Sequence, residues 1–334
     1  MAALSGLPAD GDWSNRLAMS PLAETIAFVF GLVGLGYAAG WAGLLRPQVG
    51  EGLTEFAATV AVPTLIFRTM AGLDFHGAAP WALWSTYFLA IPPVWIAAHL
   101  IITRAFGREM EAGVVGGVAA CFSNMLLIGI PLMVGAYGQP GLEVVALLLS
   151  VHLPVMMAAS IVLFEWARRD KERALDPLRM LRDFVRNLLS NAIIIGIIAG
   201  LLWQVSGLPM PGLMVRFVDA FAGLAVTVAL FSMGLSLRRF GISGNVRPAF
   251  VLAGLKLIML PAVALGFALL VPLPPLTAKA LVVVAALPTG INPYLIASRF
   301  GTGQVLASNT LTISTGFAVL TTAFWLAVVQ QVFV

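Results

Sequence analysis

Apolar residues dominate this chain in long runs separated by short polar punctuation. A bilayer is crossed by about 20 mostly apolar residues in helical form. On that rule the pattern predicts ten spans: Pro21–Leu45, Leu53–Leu73, Trp81–Ala105, Ala112–Tyr137, Leu142–Ala167, Asn187–Val205, Leu213–Leu237, Pro248–Val271, Leu276–Phe300 and Val305–Val334. Most connections are short and rich in Gly and Pro. The exception is Arg168–Arg186, RRDKERALDPLRMLRDFVR, the one long polar stretch, which divides the spans five and five.

Composition agrees with this class. The chain has 334 residues, 60% hydrophobic and 10% charged, with mean hydropathy +0.97, whereas soluble domains carry about 25% charged residues. A β-barrel would show short alternating segments instead. The single cysteine, Cys121, excludes an internal disulfide and argues against a Cys-based metal site. Residues 1–20 lack the basic start and apolar core of a cleaved signal and are expected to form a short tail.

Charge placement sets orientation. With the N-terminus outside, fourteen Lys and Arg residues fall on the inner side against four outside, Arg16, Arg68, Arg216 and Lys279. The expectation is an inner-membrane protein with both termini non-cytoplasmic and 168–186 as a basic cytoplasmic loop.

An odd number of spans per half makes the second half enter the bilayer from the opposite side. Residues 21–167 and 187–334 are therefore expected to form two inverted five-helix repeats, a construction of many secondary transporters. Val62–Met70 in span 2 matches Val226–Gly234 in span 7 at an offset of 164, and Tyr137-Gly138 matches Phe300-Gly301 at 163. The first span of each half carries a small-xxx-small pair, Gly36/Gly40 and Gly196/Gly200. The fourth span of each half is interrupted. In span 9, AALPTGINPYLIAS places Pro288, Thr289, Gly290, Asn292 and Pro293 where a lipid-facing helix would be continuous. In span 4, Ser123 and Asn124 are followed by Gly129 and Pro131. Breaks free backbone groups that must be satisfied inside protein or beside a water-filled cavity. Paired breaks at corresponding places are a pointer to a substrate site.

The motifs VPTLIFRTM, FSNMLLIGIPL, LFSMGLSL, GLKLIMLP and AALPTGINPYLIASRFG resemble the auxin efflux carrier family, which includes bacterial transporters of small carboxylates such as malonate. The likeness runs from about Pro21 to the C-terminus. It implies an all-α polytopic protein of ten transmembrane helices, with helices 4 and 9 crossing at their breaks beside the substrate. It also implies a scaffold part and a transport part. The chain departs from the family where Gly-Asn-Thr-Gly is common and Ser123-Asn124-Met125-Leu126 stands here, a loss of glycine that would narrow the site or alter its specificity. The sodium–bile acid symporter architecture is the alternative resemblance.

The candidate site is built from those breaks. A half-helix start exposes N–H groups and partial positive charge, which favours a carboxylate. Asn124 and Asn292 offer amides, Ser123 and Thr289 hydroxyls, while Pro131, Pro288 and Pro293 make the breaks and Gly129 and Gly290 loosen the backbone. Each Asn equally fits satisfaction of loosened backbone. Lys256 lies roughly 13 Å deeper than Arg247 at about 1.5 Å per residue, where a charge is costly. It is expected to counter an anionic substrate or respond to protonation. His99 and His152 read mainly as buried packing. Ser308, Asn309, Thr310, Thr312, Ser314 and Thr315 line the path or bond neighbouring helices.

No G-x-x-x-x-G-K-[ST] occurs, so transport would run on a gradient or passively. Gly241-Ile242-Ser243-Gly244 mimics an intramembrane serine protease motif but falls in a basic loop and reads better as a turn. The expected function is a secondary carrier of a small organic anion by alternating access. A membrane sensor of the same fold is the rival, and an intramembrane enzyme the weaker one. No cofactor, metal or nucleic acid is expected. Coupling to H+ or Na+ and a homodimer are open options.

Overall fold

Each apolar run folds as helix, and in this computed structural model the places where helices stop are set by proline, glycine and asparagine. The structure describes residues 20–72, 80–168 and 189–333, together with 182, 185 and 186. Most of the expected tail and of the 168–186 loop lies outside them. α1 is Pro21–Trp41, started by Ser20, whose hydroxyl accepts the Ala23 N–H. α2 is residues 47–71, in which a π-helical turn, Ala57–Ala61, joins Pro47–Phe56 to Val62–Ala71. α3 is Pro80–Ala105, with Pro92 and Pro93 inside it. α4 is Met110–Cys121. The stretch from Met125 to Ala167 is two helices, α5 (residues 125–137) and α6 (residues 139–167), because Gly138 turns the chain at φ 63° and ψ −147°. Then come α7 (Ala192–Ser206), α8 (Gly212–Phe240), α9 (Arg247–Leu270), α10 (Pro275–Ala285), α11 (Asn292–Phe300) and α12 (Gln304–Val332).

Among the described residues six helical stretches are long and apolar enough to cross a membrane unaided: α1, α3, Met125–Ala167, Gly212–Arg238, α9 and α12. α4, α7 and α10 are apolar but shorter. Large apolar side chains such as Phe28, Leu35, Trp81, Leu202, Phe217 and Phe324 are exposed, as lipid-facing residues are. The protein is an all-helical, multi-pass integral membrane protein.

Helices in lipid associate through close packing rather than hydrophobic burial, so small residues mark the contacts. A Cβ built at Gly36 would stand 2.1 Å from the Phe231 carbonyl oxygen, and one at Gly234 2.0 Å from that of Val33. α1 and α8 therefore touch backbone to backbone. α7 meets α2 likewise: a Cβ at Gly196 would lie 2.6 Å from the Pro63 carbonyl oxygen and one at Gly200 2.7 Å from that of Phe67. The residues from Ala112 to Cys121 and from Ala280 to Ala285 are all buried, so α4 and α10 form the centre.

Candidate functional site

α4 and α10 stop in the middle of the molecule and face each other through their broken ends. Ser123 and Thr289 form an isolated antiparallel bridge. The Asn124 N–H donates to the Pro288 carbonyl at 2.9 Å, and the Gly290 N–H donates to the Phe122 carbonyl at 3.0 Å. Each break thus supplies the hydrogen bonds that the other lacks. The Thr289 hydroxyl donates to the Ala119 carbonyl, one of the last of α4, at 2.8 Å, and its N–H donates to Ser314 Oγ at 3.0 Å. No water is needed to satisfy these groups, as the interior of a membrane protein demands.

The break in the first half lies before the prolines. α4 ends at Cys121 and helix resumes at Met125, upstream of Gly129 and Pro131. Asn124 explains this: its Oδ1 accepts the Leu127 N–H at 3.2 Å, capping the helix that follows. Pro131 falls at the second residue of the α-helical stretch after the π turn, where its missing N–H is accommodated. Gly129 packs closely under Leu287, whose Cδ1 would have to shift to admit a Cβ placed 2.7 Å from it. At Gly290 the nearest atom to an added Cβ is 3.5 Å away, so what matters there is a backbone N–H, which proline alone would remove.

A cavity of about 610 Å³ opens beside the crossover. Ser123, Asn124, Gly290 and Asn292 line it, with Thr54, Thr59, Asn191, Ser236 and the carboxylates Glu51 and Glu55. Glu51, Glu55 and Thr59 are exposed, and mark the mouth. Asn124 is 5% exposed; its Nδ2 points at Met233 Sδ, 3.6 Å away. Asn292 is half-buried on the first turn of α11, and its amide makes no hydrogen bond to the described protein. Thr289, Pro288, Pro293, Pro131, Gly129 and Lys256 stand behind this wall and do not line the cavity.

Lys256 is fully buried, and its Nζ donates to the Ala285 carbonyl at 2.6 Å. Ala285 is the last residue of α10, so the ammonium sits on the negative end of that half-helix dipole. Tyr87 was not apparent as a site residue: its hydroxyl lies 3.2 Å from Ser123 Oγ. His152 is buried against Phe122, with ring centroids 4.7 Å apart, and neither of its nitrogens has a hydrogen-bond partner among the described residues. Among the polar residues of α12, Thr310, Ser314 and Thr315 donate to carbonyls of their own helix, and Ser308, Asn309 and Thr312 bind the backbone of residues 240–243. Asn309 exchanges two hydrogen bonds with Ser243, Thr312 donates to Gly241 and Ser308 to Phe240. These bonds hold 241–244 as a turn, with Gly241 and Gly244 at positive φ. Glu51 and Glu55, four residues apart on α2, also escaped a reading by span. The signal was two carboxylates on one face at a helix start.

A family model described as membrane transport protein matches residues 21–326. A protein named "Uncharacterized transporter" from Methanothermobacter thermautotrophicus is 26% identical over 309 residues, covering 90% of this chain and 96% of its own length. A protein named "Putative malonate transporter" from Rhizobium meliloti is 25% identical over 322 residues, covering 91% of this chain and 94% of its own. The lysosomal cholesterol signaling protein of Mus musculus is 25% identical over 242 residues, which is 70% of this chain but 27% of the mouse protein.

Proposed function

From the premise that the chain belongs to the membrane transport protein family, we propose that it is a secondary carrier of a small organic anion, a carboxylate by first choice. The observation that carries this reading is the reciprocal crossover at Ser123 and Thr289 beside a cavity of about 610 Å³. Two helices that begin at one depth aim N–H groups and partial positive charge towards one point. The unengaged amide of Asn292 is the adaptable contact in that wall, and Ser123 and Asn124 complete it. Thr289, Gly290, Gly129, Pro131, Pro288 and Pro293 keep the two breaks in register. Lys256 acts on the site from behind, by holding the end of α10.

The proposed topology is ten spans in two inverted repeats, with 21–167 and 187–334 as the halves. Its support is the reciprocity of the glycine contacts: α1 of the first half packs on α8 of the second, and α7 of the second on α2 of the first. The Arg186 carbonyl accepts a hydrogen bond from Ser190 of the cavity lining, and Arg238 follows Ser236 of the same lining on α8, so the orientation favoured by the basic residues makes the cavity inward-facing, with both termini on the far side of an inner membrane. The similarity to the mouse signaling protein supports a second reading, a sensor that binds without transporting.

Purified protein in proteoliposomes, given labelled mono- and dicarboxylates including malonate under separate sodium and proton gradients, tests the choice. Saturable uptake of one carboxylate is expected. Asn292→Ala should abolish that uptake while the protein elutes and melts as the wild type does. Tight binding with no flux under any gradient would replace the carrier by the sensor.

A further inference from the structure

A second cavity, of about 520 Å³, lies away from the crossover between α3 and α6. Phe88, Trp95 and His99 of α3 line one wall, and Val155, Ala159 and Trp166 of α6 the other. Val114 of α4 forms part of the lining between them. Prolines explain why the helices do not close on each other. Pro92 and Pro93 interrupt the α3 hydrogen-bond ladder and Pro154 that of α6, all near the deep end of the groove. α3 is drawn instead onto the glycine face of α4, where Trp95 packs on Gly117 and His99 on Gly113. Ile96, Leu100, Val155 and Trp166 are exposed, so the groove opens sideways to the bilayer.

The space is too apolar to hold water, which needs several polar partners. In a membrane the remaining filler is hydrocarbon. One group in the lining breaks the apolar pattern. His99 is half-buried near the end of α3, and its ring nitrogens have no protein hydrogen bond among the described residues. Arg104, five residues further along and outside the lining itself, is exposed at the same end of α3 and makes no ion pair among the described residues. Trp166 stands at the same end of α6, as indoles do at the headgroup level.

We propose that this groove is a binding site for an anionic phospholipid, with one acyl chain along Phe88, Trp95 and Ala159 and its phosphate or glycerol oxygens at His99 and Arg104. Moving a chain from bulk lipid to an apolar groove changes little, because both are hydrocarbon. Selectivity therefore rests on the polar end, and an anionic headgroup is favoured over a zwitterionic one. The deep wall links the lipid to the carrier: the Phe88 ring stacks on His152, which packs on Phe122 in the crossover.

The test reads lipid retention and is independent of any transport activity. Protein reconstituted with phosphatidylcholine and a minority of phosphatidylglycerol is moved to mild detergent, and the lipids that stay bound are counted by native mass spectrometry. One phosphatidylglycerol per chain is expected on the wild type. Ala159→Phe, whose ring fills the groove, should lose it, and Ile96→Trp at the rim provides a second block if the first variant does not elute as a single folded species. Arg104→Gln combined with His99→Leu should still hold a lipid but no longer prefer phosphatidylglycerol. Equal retention by the wild type and both blocked variants, or retention of phosphatidylcholine in proportion to its abundance, would overturn the proposal.

Discussion

Thr289→Val is the sharpest probe of the crossover. The substitution keeps shape and volume nearly constant and removes one hydroxyl. That hydroxyl donates at 2.8 Å to the Ala119 carbonyl, which belongs to the last turn of α4 and has no helical N–H to accept. Thr289 is fully buried, so no water replaces the lost donor. A typical hydrogen bond contributes about 1 kcal/mol net, while a buried acceptor left bare costs about 1–3 kcal/mol. The expected loss is therefore about 1–3 kcal/mol. Thr310→Val is the matched control. Thr310 is equally buried and its hydroxyl donates at 2.7 Å to the Leu306 carbonyl, but that carbonyl lies within α12 and already accepts a backbone N–H. Removing this hydroxyl should cost well under 1 kcal/mol, because back-bonding within a helix adds little stability. Unfolding of both variants by sodium dodecyl sulfate titration in mixed micelles, followed by tryptophan fluorescence, gives the comparison. Thr289→Ser should recover most of the difference. Equal losses for Thr289→Val and Thr310→Val would refute the reasoning that the crossover satisfies the broken ends of α4.

Lys256→Met removes the donor to Ala285 without touching the cavity wall; uptake should slow while KM for the carboxylate stays within about twofold, because the lost interaction is positional rather than a substrate contact. A many-fold rise in KM would show instead that the ammonium meets the anion. Gly36→Ala should cost roughly 1–3 kcal/mol by overpacking, since the new methyl group meets the Phe231 carbonyl oxygen at 2.1 Å before relaxation. Gly34→Ala, with nothing within 4 Å, should be neutral or gain up to about 1 kcal/mol from helix propensity. The same titration separates these two glycines, and indistinguishable midpoints would dismiss the α1–α8 contact.

The class of the protein was legible from the chain, because twenty apolar residues in lipid have few alternatives to a helix, whatever surrounds them. The glycines that let α1 meet α8 and α7 meet α2 were legible too, as spaced pairs, though not which helix each would touch. Around Pro288 and Pro293 the interruption was local chemistry, set by two missing N–H groups. In the first half, composition pointed at Gly129 and Pro131, yet the chain breaks at Phe122–Asn124. Asn124 can cap the next helix, and a distant segment accepts the Asn124 N–H at the Pro288 carbonyl and donates the Gly290 N–H to the Phe122 carbonyl. Lys256 shows the limit most clearly. Its depth signalled cost, but only the packing of α9 against α10 decided that a helix end, and not the cavity, receives its ammonium. The outer wall of the cavity was invisible for the same reason. Glu51, Glu55, Asn191 and Ser236 reach it from three helices that are remote along the chain. Hydropathy and backbone chemistry are properties of a residue and its immediate neighbours, whereas the partner of a freed carbonyl or amide depends on which helices dock, and that is settled by side-chain shape across the whole fold.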